Sequence, residues 1–199
     1  MKNIIRIMAL AFILGPVSEI AAQSFQKGQV DLNLGVGLGN SIIGPGSTNV
    51  LPPVSASLEF GISRDISLGA YLGFTGASYS YSGWEDCGHG MGNGGYYIDT
   101  YKWSYFIAGV RGAFHFARFI HNDKLDVYAG LMLGNDFAHS SYSTTSPCPD
   151  HQQFYGQTYG GGVFSVFGGA RYRFTNSFGV FGELGYGISY LTVGVNFKF

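Results

Sequence analysis

Charge is what this sequence lacks most. Asp, Glu, Lys and Arg together make up 12% of its 199 residues, about half the ~25% of an ordinary soluble domain. The formal net charge is -1, so there is no basic field to attract nucleic acid. No apolar run approaches the ~20 residues that a membrane-spanning helix requires. Glycine shows no period of three, which excludes a collagen-like chain. What is present is equally uneven. Aromatic residues reach 17% and glycines number 32, while the hydrophobic fraction is an unremarkable 46%. So many aromatics exclude a disordered chain. The length suits one domain with a core.

The N-terminus has the layout of a secretory signal. Lys2 and Arg6 give a positive start, and an apolar run over 7–14 ends at Gly15-Pro16. Small residues Ala21-Ala22 then offer a cleavage site before Gln23. The sequence thus divides into a signal peptide, 1–22, and an exported domain, 23–199. The competing reading is an amphipathic first helix of the domain. No cysteine lies near the cleavage point to carry a lipid.

From Val30 onward the period is two. Val30, Leu32, Leu34, Val36 and Leu38 alternate with Asp31, Asn33, Gly35 and Gly37, the pattern of a strand with one greasy face. It recurs over 54–62 and 66–74, and further segments follow at 104–116, 125–134, 163–174, 178–186 and 191–199. Eight strands result, and an even number suits a closed single-chain barrel. The connections alternate in length. Short ones fall at 63–65, 118–124 and 175–177, long ones at 40–53, 76–103 and 135–159, and a tight one near 187–189. Short turns at one end and long polar loops at the other are the layout of an outer-membrane barrel.

A water-soluble barrel of the lipocalin kind would carry its charges outside. Here the polar face is mostly Gly, Ser and Asn, which suits a cramped lumen, and the greasy face is long and uninterrupted, as lipid demands. Phe60, Phe114, Phe116, Tyr172, Phe174, Phe178, Phe197 and Phe199 fall at one end of the strands, and Tyr81, Trp84, Tyr101, Trp103 and Tyr105 at the other. Two such groups read as the two aromatic girdles of a membrane barrel. The last strand alternates Leu191, Val193, Val195, Phe197 and ends on Phe199.

These features resemble the small OmpA/OmpX-type outer-membrane β-barrels, and the Ala-Ala-Gln signal end is similar to that of Bacteroidetes members. The resemblance implies an all-β, eight-stranded antiparallel up-and-down barrel in the outer membrane, in contact with its lipid. It implies that Phe197 and Phe199 form the signal read by the barrel assembly machinery; with no segment after Phe199, the peptidoglycan-binding domain that some OmpA-like proteins carry is expected to be absent. Within this family a structural or adhesive role stands beside two alternatives, a lipid-modifying enzyme and a small-solute channel.

The polar face bears Asp31, Glu59, Arg111, His115, Asp126, Arg171, Glu183 and Lys198. In a narrow lumen such charges require partners, so the expectation is an internal salt-bridge plug and a monomeric, non-conducting barrel. Cys87 and Cys148 lie one in each of the two longest loops. After export, an even count reads as one disulfide; Cys87-x-His89 with Cys148-x-x-His151 leaves a metal site open. His139-Ser140-Ser141 with Asp136, Asp150 and His151 offers the ingredients of a serine hydrolase, without a nucleophile elbow. No cofactor is implied. The three long loops hold five acidic residues against Lys102 alone, and their Tyr-, Gly- and Ser-rich composition is that of adaptable contact loops, suited to an extracellular or envelope protein partner.

Overall fold

The computed structural model describes residues 25–39, 41, 48–87, 94–148 and 156–199. The signal sequence, His89, Asp150 and His151 lie outside them. Eight strands run in order among the described residues: β1 (Val30–Leu38), β2 (Thr48–Gly61), β3 (Ile66–Glu85), β4 (Gly95–His115), β5 (Leu125–Thr144), β6 (Thr158–Arg173), β7 (Phe178–Gly185) and β8 (Leu191–Lys198). Each pairs antiparallel with the next, and β1 closes the ring on β8 through Asp31↔Lys198 to Leu38↔Leu191. Closure leaves no sheet edge around the belt, so every backbone group there has a ladder partner.

Period two fixes which side chains point where. The outward set is apolar: Leu34, Leu58, Leu72, Val110, Leu131 and Phe164 are all more than two-fifths exposed. The inward set carries the charge: Asp31, His115, Asp126 and Arg171 have no exposed surface at all. That partition inverts the one found in soluble proteins. On β3 the apolar outer row runs Ile66, Leu68, Ala70, Leu72, Phe74 and then turns to Ser78, Ser80 and Ser82. The band is therefore about the ~9–11 residues of a strand crossing a bilayer.

The strands are unequal, and here the structure departs from the sequence reading. Within the stretches 76–103 and 135–159, expected as loops, residues 76–85, 95–103 and 135–144 are strand. β3, β4 and β5 have 20, 21 and 20 residues, against 8 in each of β7 and β8. Their outer halves pair in unbroken register from Thr75↔Tyr105 to Glu85↔Gly95 and from Asp99↔Thr144 to Ala108↔Asn135. Tyr, Thr, Trp and Ser supply the β preference, yet above the lipid neither face needs to be greasy, so the apolar alternation that marks a strand is missing. β2 likewise starts at Thr48, ahead of the expected 54. Its pairing with β3 slips between Asn49 and Val54, where Pro52 and Pro53 cannot donate to the ladder.

Candidate functional site

One connected ion network lies in the lumen. Arg171 lies at its centre, with Nη2 2.8 Å from Glu59 and Nη1 3.3 Å from Asp126 and 3.5 Å from Asp31. Arg111 reaches Glu59 at 3.3 Å and donates to both oxygens of Glu183, at 2.6 and 3.3 Å. The His115 ring sets Nδ1 3.0 Å from both Asp126 oxygens and Nε2 2.9 Å from Ser67 Oγ. Aromatic faces complete the cage: Phe167 lies 3.8 Å from the Arg111 guanidinium and Tyr128 lies 4.3 Å from that of Arg171. Shared carboxylates and bidentate geometry are what allow charges to be buried without each losing its partner.

Space in the lumen is accounted for closely. A Cβ added at Gly169 would meet the Tyr128 ring at 2.8 Å, and one at Gly35 would run into Thr192 and Phe181. The cavity beside Arg111 and Glu183 has a volume of about 20 Å³, room for a single water.

Further side chains pack above and below the network. Below, the chain before β1 folds into the mouth. The Phe25 ring stacks flat on His115 at 3.6 Å, held there by Gly28 N–H donating to Gly61 O and Gly61 N–H donating to Gln29 O, both 2.8 Å. Above, Ile188 from the turn between β7 and β8 packs with Tyr71, Ile107, Met132 and Phe167, and Ser41 donates to Gly187 O at 2.5 Å.

Beyond Ile188 the long halves of β3, β4 and β5 form an outer sheet with two unlike faces. The face that continues the lumen parity carries Tyr79, Tyr81, Tyr97, Tyr101, Trp103 and Tyr142. Tyr101 lies 4.9 Å from Tyr142 and 6.0 Å from Trp103, centroid to centroid. This corrects the girdle reading. Tyr81, Tyr101, Trp103 and Tyr105 share the parity of Tyr71 and Arg111 and face inward, and Trp84 stands beyond the apolar band. Phe74, Phe106, Phe137 and Phe164 mark the outer edge of the lipid-facing band instead. At the other edge the contacts Tyr172–Phe174, Phe174–Phe178 and Phe178–Phe197, at 5.5, 6.3 and 5.5 Å, run around the belt.

No family model matches the chain, and no curated protein matches it in sequence. Its structure is similar to the N-terminal β-barrel domain of Pseudomonas aeruginosa OprF, with a TM-score of 0.50 and 12% identity over 87% of this chain and 98% of that one. The chain has the fold of a small outer-membrane β-barrel. The barrel also resembles Ail, the attachment invasion locus protein of Yersinia pestis, solved with the heparin analogue sucrose octasulfate (TM-score 0.46, 11% identity, 87% of this chain and 100% of that chain). A de novo designed transmembrane β-barrel gives 0.44 and 13%, over 87% and 98%.

Within the barrel, seven of the eight charged residues singled out in the sequence meet in one network: Asp31, Glu59, Arg111, His115, Asp126, Arg171 and Glu183. Lys198 stands opposite Asp31 in register, half-buried, and no ion pair joins it to another described residue. Arg173 was missed. It is buried, 3.1 Å from Asp31, and its parity with Arg171 two residues earlier was the available signal. Asn33, Ser57 and Asn196 were missed as uncharged members: Asn33 donates to Ser57 at 2.9 Å and Asn196 donates to Asn33 at 2.9 Å.

Ser67, His115 and Asp126 stand in the order of a hydrolytic triad. All three are wholly enclosed, Ser67 is also 3.2 Å from Glu59, and the cavity does not reach them. They act as struts of the ion network. His139 and Ser140 are adjacent strand residues on opposite faces of β5. His139 lies 3.3 Å from Thr158 Oγ1, and Ser140 donates to Gln157 O at 3.3 Å. Cys87 and Cys148 are joined in a disulfide across 61 residues, which ties the tip of the β3–β4 hairpin to the segment after β5. Phe197 lies in β8, and Phe199 exchanges backbone hydrogen bonds with Val30.

Proposed function

We propose that this chain is a monomeric outer-membrane barrel with a closed lumen, serving the cell envelope as a structural and surface-interaction protein. In this reading residues 1–22 are cleaved on export, and Phe197 and Phe199 present the final strand to the barrel assembly machinery. The observation that supports the proposal is the ion network centred on Arg171, with Phe25 packed below it and Ile188 above. In this reading the barrel acts through its surface, and the surface it offers is the outer sheet together with its loops. The start of β1, the end of β8 and the short turns share one end of the barrel, so with the usual periplasmic placement of that end the outer sheet faces the medium.

Planar-bilayer recording on the purified, refolded protein tests this reading. The expected trace is flat, with gel mobility shifting between unboiled and boiled samples. Steady unitary conductance would make the barrel a channel. Changed lipid A or phospholipid acylation in a deletion strain, restored by the wild-type gene, would make it an enzyme.

A further inference from the structure

The outer sheet gathers most of its aromatic residues on one face, with Trp84 and Tyr96 on the other. On β3 the outward positions are Ser78, Ser80, Ser82 and Trp84, whereas Tyr79 and Tyr81 between them face inward. On β4 the outward positions are Tyr96, Ile98, Thr100, Lys102 and Ser104, and the inward ones are Tyr97, Asp99, Tyr101 and Trp103. The carboxylates follow the aromatics, since Glu85, Asp99 and Asp136 all have inward parity. Among the described residues of this sheet the inward face has no Lys, Arg or His. Arg111, the nearest cation of the same parity, lies beneath the Ile107 layer and is spent on Glu59 and Glu183. The Tyr97 and Tyr142 phenols are held above their ordinary ionisation range, by desolvation first. Tyr81 then adds to the shift at Tyr97, and Asp99 adds to it at both.

We propose that this inward face is a docking surface for a basic chain segment, a stretch of a partner protein rich in arginine. The inference rests on the reading that the outer sheet faces the medium, and it names the chemistry of the partner. Aromatic rings alone would serve a neutral sugar equally well. Rings interleaved with carboxylates and cleared of cations select against anionic glycans and for guanidinium groups, which stack on Tyr and Trp while pairing with Asp. The rings are already held against one another by the ladder, so little order remains to be imposed on binding. The disulfide from Cys87 to Cys148 fixes the rim of the same surface.

The test uses the full barrel in nanodiscs and a fluorescent nona-arginine peptide followed by anisotropy. The expected result is saturable binding that weakens steadily with added salt and that loses about tenfold in affinity in Asp99→Asn/Asp136→Asn. Tyr81→Ser/Tyr97→Ser, at positions less enclosed than Asp99, is a second variant with the same expected direction. Lys102→Ala, on the opposite face, should leave affinity unchanged. Each variant is first checked for the unboiled-to-boiled mobility shift, so that loss of binding is not loss of the fold. No binding, salt-insensitive binding, or equal affinity in the folded variants would overturn the proposal, as would tighter competition by a neutral cello-oligosaccharide than by free arginine peptide. Labelling of Lys102 on intact cells by a membrane-impermeant amine reagent separates the two readings. If Lys102 is unlabelled, the surface orientation itself fails; if it is labelled and the peptide does not bind, only the docking proposal fails.

Discussion

Arg171 is the residue whose loss should cost this barrel most. Its guanidinium is fully enclosed, lies within 3.5 Å of Glu59, Asp126 and Asp31, and is covered by the Tyr128 ring. Arg171→Ala leaves Glu59 with Arg111, Asp126 with His115 and Asp31 with Arg173, so each carboxylate keeps one partner and loses its shared one. Removing one member of a buried pair typically destabilises by about 3–5 kcal/mol, which corresponds to roughly 6–20 °C for a chain of this size. The folded fraction, read from gel mobility against temperature or urea, should shift by that much. Arg171→Lys should recover only part of it, since an ammonium cannot bridge three carboxylates as a planar fork does. Arg171→Met with Glu59→Gln and Asp126→Asn should recover most of it, because the charges that lost their bridge are then gone and Asp31 retains Arg173. An Arg171→Ala barrel as stable as the parent to within about 1 kcal/mol would refute the idea that the lumen is held by its ion network.

Other consequences can be measured alongside. Phe25→Ala removes a buried ring from the lower mouth and should cost about 3–5 kcal/mol in urea titrations, without opening a steady conductance. Gly169→Val would drive a side chain into the Tyr128 phenol and should lower the yield of folded barrel on refolding, whereas a valine at Gly162, where an added Cβ meets nothing within 4 Å, should not. Reducing the disulfide or making Cys87→Ser should leave the barrel's mobility shift intact while speeding proteolysis of the outer hairpins; an unchanged digestion pattern would mean that the bridge constrains nothing there. Leu131→Arg, in the middle of the apolar band, should destabilise by about 2–4 kcal/mol in lipid, measured by urea unfolding from vesicles.

What could be read from the sequence was whatever the two-residue period governs. The eight strands, the apolar outer row and the convergence of Glu59, Arg111 and Arg171 all follow from parity, because a strand that must present one face to lipid has no freedom to slip. Beyond the polar members of the network, three features of the fold lie outside that reach, each for a definable reason. The outer halves of β3, β4 and β5 were read as loops because, above the membrane, Ser80 and Tyr81 alternate just as Leu68 and Gly69 do, but without an apolar member to make the alternation visible. The inward turn of Tyr101 and Trp103 was legible in principle, since counting by two from Arg111 reaches both. Their aromatic character suggested a girdle and overrode the count. Phe25 belonged to no period, as its burial depends on the chain before β1 folding back into the mouth, a contact set by Gly28 and Gly61 meeting across space.

The central claim is that the barrel is inside out, with its apolar residues in lipid and its charges sealed within. Nitroxide labels at single cysteines, placed in a Cys87→Ser/Cys148→Ser background at positions 68, 72, 110, 131 and 166, test it most directly in reconstituted bilayers. The account predicts that every label collides with oxygen in preference to a water-soluble nickel chelate, most strongly at 110 and 131 near mid-band. Preferential collision with the nickel chelate at those positions would contradict it.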